Sequence, residues 1–235
     1  SYGHIQVFNF TLETLRIDSL SRVFMLIFLI AIFLGTLYAL NDDDPVQQTS
    51  GMIYGGAAVG AVLAGDLVSL FIYWELTAIS SVFLILAAGT EKARRAAMRY
   101  LIIQVGSGVL LLAGVLVHFV DTGSIAFVNF GLETTASKLI FLAFGVKCAF
   151  PVLHNWLQDA YPEATAGGTV MLSAFTTKLA VYSLARGFAG TEILILIGAT
   201  MTMFPIFYAV IENDLRRVLA YSLNNQLGFM VVGVG

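Results

Sequence analysis

Long apolar runs, each about the length of a membrane crossing, alternate along this chain with short polar breaks. A helix needs about 20 mostly apolar residues to span the hydrocarbon core of a bilayer. By that measure the pattern predicts eight helical spans, at 22–40, 48–65, 67–88, 97–119, 136–156, 168–188, 191–211 and 215–234. Turn-forming stretches separate them: "NDDDP" at 41–45, "GTEKARR" at 89–95 and "VDTGS" at 120–124, with only Gly65-Asp66 between the second span and the third. No interval is long enough for a soluble domain. The expected fold class is all-α, a polytopic membrane helix bundle forming a single membrane domain over 1–235.

Composition fits that class. The 235 residues are 58% hydrophobic and only 11% charged, against about 25% charged in soluble domains. The pairs Gly51/Gly55 and Gly56/Gly60 have the small-residue spacing that lets membrane helices approach closely. A single cysteine, Cys148, rules out an internal disulfide. The net charge is −3 and no basic cluster is large enough to suggest nucleic acid. Three scattered His and one Cys offer no metal site, and no Gly-rich loop follows a strand to cradle phosphate. Neither an enzyme active site nor a cofactor is expected. Ser1 opens no cleavable signal pattern, so the chain is expected to begin after processing or to be part of something longer.

Basic residues suggest an orientation. With the N-terminus outside, inner loops hold Lys92, Arg94, Arg95, Arg99, Arg216 and Arg217, and outer ones Arg16, Arg22, Lys138 and Arg186. The dense "EKARRAAMR" cluster argues for a cytoplasmic loop between the third and fourth spans.

Depth singles out the candidate chemistry. Of 12 basic and 15 acidic side chains, nearly all lie in loops or at span ends; Glu75, Lys147 and Lys178 fall well inside spans. Each costs about 2.5–3.5 kcal/mol at a helix centre, so each needs a reason: a structural lock with a polar partner, or a path for protons or ions. Pro151 sharpens the second reading. It has no N–H to return to the carbonyl of Lys147, so it opens the helix at the lysine. Such breaks are tolerated in a membrane where the freed groups are buried in protein or line a wet cavity. His154 is seven residues beyond Lys147, two turns along the same helical face, and can titrate near neutral pH. Glu75 takes Lys147 as its natural cationic partner. Lys178, beside Thr176 and Thr177, reads as the next station.

These residues sit in stretches that resemble a known family. "LRIDSLSRVF", "FIYWELTAISSVFLI", "GVKCAFPVLHNWLQDAYPEA", "LSAFTTKLAVYSLARGF" and "DLRRVLAYSLNNQLGFM" are together similar to the antiporter-like membrane subunits shared by Mrp cation/proton antiporters and respiratory complex I, with the Mrp D-type branch the most alike. The resemblance implies a coupled Glu75–Lys147 pair, a proton relay through Lys178, and a broken helix belonging to one of two inverted repeats. Against family proportions the chain is truncated at both ends: a leading helix over 22–47, one complete antiporter-like repeat over 48–188 and the start of a second over 191–235. In "EATAGGTV", Thr165 and Gly167 stand where the family pattern has prolines.

Two functions follow as expectations. One is a proton/cation-translocating antiporter-like subunit of a multisubunit complex, multi-pass in a bacterial cytoplasmic membrane, with other membrane subunits and lipid as partners and protons, with Na⁺ as a second candidate, as cargo. The other is a truncated relative serving as a non-transporting structural subunit of a respiratory or photosynthetic complex.

Overall fold

The computed structural model describes residues 2–7, 10–42 and 44–235. Ser1 and Asp43, the latter within the expected turn at 41–45, lie outside the described residues. The chain opens with an antiparallel hairpin, β1 (Tyr2–Val7) and β2 (Phe10–Leu15). Helices α1 (Ser19–Tyr38), α2 (Pro45–Leu63), α3 (Leu67–Leu86), α4 (Glu91–Thr122), α5 (Thr135–Lys147), α6 (Asn155–Ala160), α7 (Ala166–Gly187), α8 (Ile193–Ile211) and α9 (Leu215–Val234) follow. Every expected span has its helix, with ends within about three residues apart from α4, which starts six residues before the expected 97, and the fifth span, which is broken into α5 and α6.

Helix starts follow local chemistry. The side chains of Asp18, Asp44, Asp66, Thr90, Thr134, Thr165 and Asp214 each accept a first-turn backbone N–H, which satisfies donors that the helix itself leaves open. Thr165, one of the two departures from the family pattern, caps α7 and also donates to Gln47 at 2.7 Å. By length and composition α1, α3, α4 and α8 are apolar enough to cross a membrane. Helices α2, α7 and α9 are as long but richer in small and polar residues. The physical reason is clearest for α7, which packs against α1, α2, α3, α5 and α9 and so faces protein. At 32 residues, α4 extends about 48 Å, well beyond the roughly 30 Å hydrocarbon core. Its charged first turns therefore project, with Arg99 forking onto Asp159 of α6 at 2.6 and 2.8 Å.

Glycines set the closest approaches. A Cβ at Gly198 or Gly228 would sit 2.6 Å from a backbone nitrogen of the facing helix, so α8 and α9 touch main chain to main chain. Of the glycines expected to pack, Gly51 meets Met171, Gly55 meets Ile32 and Gly60 meets Tyr73, whereas Gly56 has open space around it.

The bundle is all-α as expected, with one short hairpin ahead of it. The hairpin docks on the α2–α3 corner: Gly65 N–H donates to the Glu13 carbonyl at 2.9 Å, Glu13 N–H to Asp66 at 2.8 Å, and Arg16 N–H to the Leu63 carbonyl at 2.7 Å. Six-residue strands fall below a search tuned to 20-residue spans, which is why the helical pattern passed over them.

Candidate functional site

Helix α5 ends at Lys147 through a stop that glycine usually makes. Ala149 takes a φ of 60°, its N–H donates to Val146 at 3.2 Å, and the Phe150 N–H reaches back to Gly145 at 3.0 Å. That pair of bonds is the Schellman arrangement. The Phe150 ring lies on Gly145, where a Cβ would approach it to 2.5 Å. Val152 also has a positive φ, 73°; left-handed backbone at a residue with a side chain costs about 1–2 kcal/mol. Trp156 Nε1 then ties α6 back to the Val146 carbonyl at 3.0 Å.

The break is thus longer than the one bond that Pro151 removes, and this corrects the placing of His154. Helical periodicity does not carry from Lys147 to His154, because residues 148–154 are not helical. The imidazole packs edge-on against Phe204 of α8, ring centroids 4.5 Å apart. It lines a cleft of about 380 Å³ with Pro151, Asn155, Tyr208 and Tyr221.

Lys147 is fully buried. Its Nζ donates to the Trp74 carbonyl at 2.9 Å and to Thr77 Oγ1 at 2.8 Å, and stands 4.2 Å from the centre of the Trp74 ring. Both acceptors are uncharged. Trp74 is itself fixed by its indole N–H, which donates to Ser107 at 3.0 Å. Glu75, next along α3, is half-buried, and its Oε1 has no hydrogen-bond partner among the described residues. That oxygen occupies a notch in α4 that exists because residue 108 is glycine; a Cβ there would collide with it. Among the described residues no ion pair joins Glu75 to Lys147, so the expected direct contact is not formed in this structure. Lys178 turns back along its own helix and donates to the Ser173 carbonyl at 2.7 Å. The fold therefore collects Glu75 and Lys147 around the Trp74 turn, while Lys178 and His154 bond and pack elsewhere, on Ser173 and Phe204.

One turn along α3 from Thr77, which holds the Lys147 amine, Ser81 begins a buried hydroxyl cluster whose tyrosines the sequence reading missed. Tyr100 OH bonds Ser81 Oγ at 2.9 Å and Thr176 Oγ1 at 3.3 Å; Thr176 is also bonded to Tyr54, and Tyr161 donates to the Leu172 carbonyl at 2.9 Å. Tyrosines in apolar runs look like packing until a partner hydroxyl is located.

A second omission lies at the rim. Arg186, near the end of α7 and only 8% exposed, forks onto Asp18 at 2.8 and 2.9 Å and donates to Tyr182 OH at 2.8 Å. The Arg186 guanidinium holds the Asp18 carboxyl well below the usual carboxylate range. Counting both residues as span-end charges hid the pair, since they are 168 positions apart. Among the described residues no group of three His, Cys, Asp or Glu could hold a metal ion.

The chain as a whole has counterparts among known proteins. Residues 64–235 match the family described as "NADH:quinone oxidoreductase/Mrp antiporter, TM". The D-type subunit of a Na⁺/H⁺ antiporter from Alkalihalophilus pseudofirmus is 30% identical, with 75% of this chain aligned to 40% of that protein. Hydrogenase-4 component B of Escherichia coli is 27% identical, over 97% of this chain and 38% of its own length. The chain thus spans less than half the length of these relatives. A chain of respiratory complex I from Thermus thermophilus, 19% identical, superposes with a TM-score of 0.84 over 98% of this chain and 53% of that one, a likeness of fold. With the family match covering most of its length, this integral membrane chain belongs to the NADH:quinone oxidoreductase/Mrp antiporter transmembrane family.

Proposed function

We propose that the chain is a proton/cation-translocating subunit of a multisubunit complex in a bacterial cytoplasmic membrane. Lys147 is the central proton carrier, Glu75 modulates it across the Trp74 turn, and Lys178 and His154 serve as further stations. One observation carries the reading: Lys147 is wholly buried at a helix break, and its amine is held by a carbonyl and a hydroxyl. Ionisable groups inside a bilayer pair with opposite charges or backbone carbonyls and mark proton or ion pathways. An amine held by neutral dipoles can take up and release a proton without breaking an ion pair. The names of the relatives support the same class of activity and membrane subunits as partners.

A structural subunit is the second reading, favoured by Lys178 and His154, whose contacts to Ser173 and Phe204 lock local geometry. The two are separated by capturing the complex from native membranes through this chain and reconstituting it in vesicles with a trapped pH-sensitive dye. Translocation predicts that an imposed membrane potential or Na⁺ gradient shifts the internal pH, and omitting Na⁺ tells which cation couples. An intact complex that moves no protons under either gradient leaves the structural reading standing.

A further inference from the structure

Helices α3 and α4 run antiparallel and are joined by two buried polar rungs. Trp74 Nε1 donates to Ser107 Oγ at 3.0 Å at one level, and Ser81 Oγ bonds Tyr100 OH at 2.9 Å at the other. On α3 the residue between these levels on the same face is Thr77; on α4 it is Gln104, by the three- and four-residue spacing of helix neighbours. Both are wholly buried. Thr77 gives its hydrogen to the Trp74 carbonyl at 2.7 Å and accepts from Lys147 Nζ at 2.8 Å, which leaves one lone pair free. Gln104 is at the opposite extreme. Neither its Nε2 nor its Oε1 has a hydrogen-bond partner among the described residues.

A buried amide with two donors and two lone pairs is nearly always satisfied by protein or by ordered water. The rungs on either side each join a large side chain to a small one and so fix the helix separation, while Thr77 and Gln104 make no direct bond across it. We infer that Gln104 is a positioning residue that holds ordered water between Thr77, the residue carrying the Lys147 amine, and the Tyr100–Thr176–Tyr54 hydroxyl cluster. The amide carries no proton itself. It orients the water through which Lys147 exchanges protons with the hydroxyls: Thr77 turns its hydrogen from the Trp74 carbonyl to the water as it takes the proton of the Lys147 amine, a role that rests on the relay reading above.

The test compares the captured complex with its Gln104→Met variant, which keeps side-chain length and helix preference but removes every polar atom. A cryo-EM map fine enough to resolve water is expected to show density within hydrogen-bond distance of the Gln104 amide, reaching Thr77 or Tyr100. In the variant that density disappears and proton flux falls about tenfold or more, with subunit composition and melting temperature kept. A wild-type map without density at the amide overturns the proposal, whether or not the variant assembles. So does a variant whose flux equals that of an active wild type. Water seen in a complex that moves no protons keeps the bridge and removes the translocation reading, so the two failures are distinct.

Discussion

Replacing Lys147 by Met is expected to cut proton flux of the assembled complex at least about a hundredfold, the scale on which removing a positioned proton carrier acts. The same change is expected to leave thermal stability unchanged or higher. The side chain is wholly buried, so folding bears the cost of stripping water from an amine, and apolar replacement of similar shape removes that cost. Little is orphaned by the change: Thr77 Oγ1 keeps its bond to the Trp74 carbonyl at 2.7 Å, and the Trp74 indole keeps Ser107. Loss of transport without loss of stability separates a carrier from a lock. A structural cation would show the reverse, a weakened fold with flux reduced only as far as the complex falls apart. Flux and melting temperature are measured on the same preparation.

The second large effect is at the rim. Asp18→Asn is expected to destabilise the chain by about 2–3 kcal/mol, less than the 3–5 of a fully buried broken pair because a third of the Asp18 side chain is wet. Asparagine preserves the cap on α1, so the loss reports mainly the uncompensated Arg186 guanidinium, with a smaller share from the partly exposed pair of Asp18 with Arg16 at 3.3 Å. The pH dependence has a defined sign. The folded carboxyl ionises at lower pH than the unfolded one, so the pair's contribution is fully present above the ordinary Asp value of about 3.9. It fades as pH falls through the depressed folded value. Parent and variant melting curves should therefore differ at neutral pH and converge only in strong acid; a constant gap across that range would point to packing instead of charge.

What was legible in the sequence follows the range of each interaction. Helix positions were readable because an apolar run and the turn residues that end it are local, as at the Gly65-Asp66 break between α2 and α3. Lys147 and Pro151 were readable because a charge in an apolar run is conspicuous and a missing N–H is a property of the residue itself. The shape of the break was hidden, since left-handed backbone at Ala149 and Val152 is imposed by the packing of Phe150 and Trp156. His154 was misplaced for that reason: a face argument assumes the helix it is projected on. Asp18 with Arg186, the notch at Gly108 and Gln104, whose amide has no partner among the described residues, depend on which helices meet, and no local pattern encodes that. The family resemblance, by contrast, rested on local stretches around charges inside apolar runs, of which the fold buries Lys147 fully and Glu75 and Lys178 in part.

The most direct test of the account is proton flux through complexes carrying Lys147→Arg. Arginine keeps the positive charge and the capacity to donate to the Trp74 carbonyl and Thr77, but does not give up its proton in a protein. The account predicts flux as low as that of Lys147→Met in complexes of normal composition and melting temperature. Flux restored by arginine would contradict it, and would make Lys147 a fixed charge whose proton never moves.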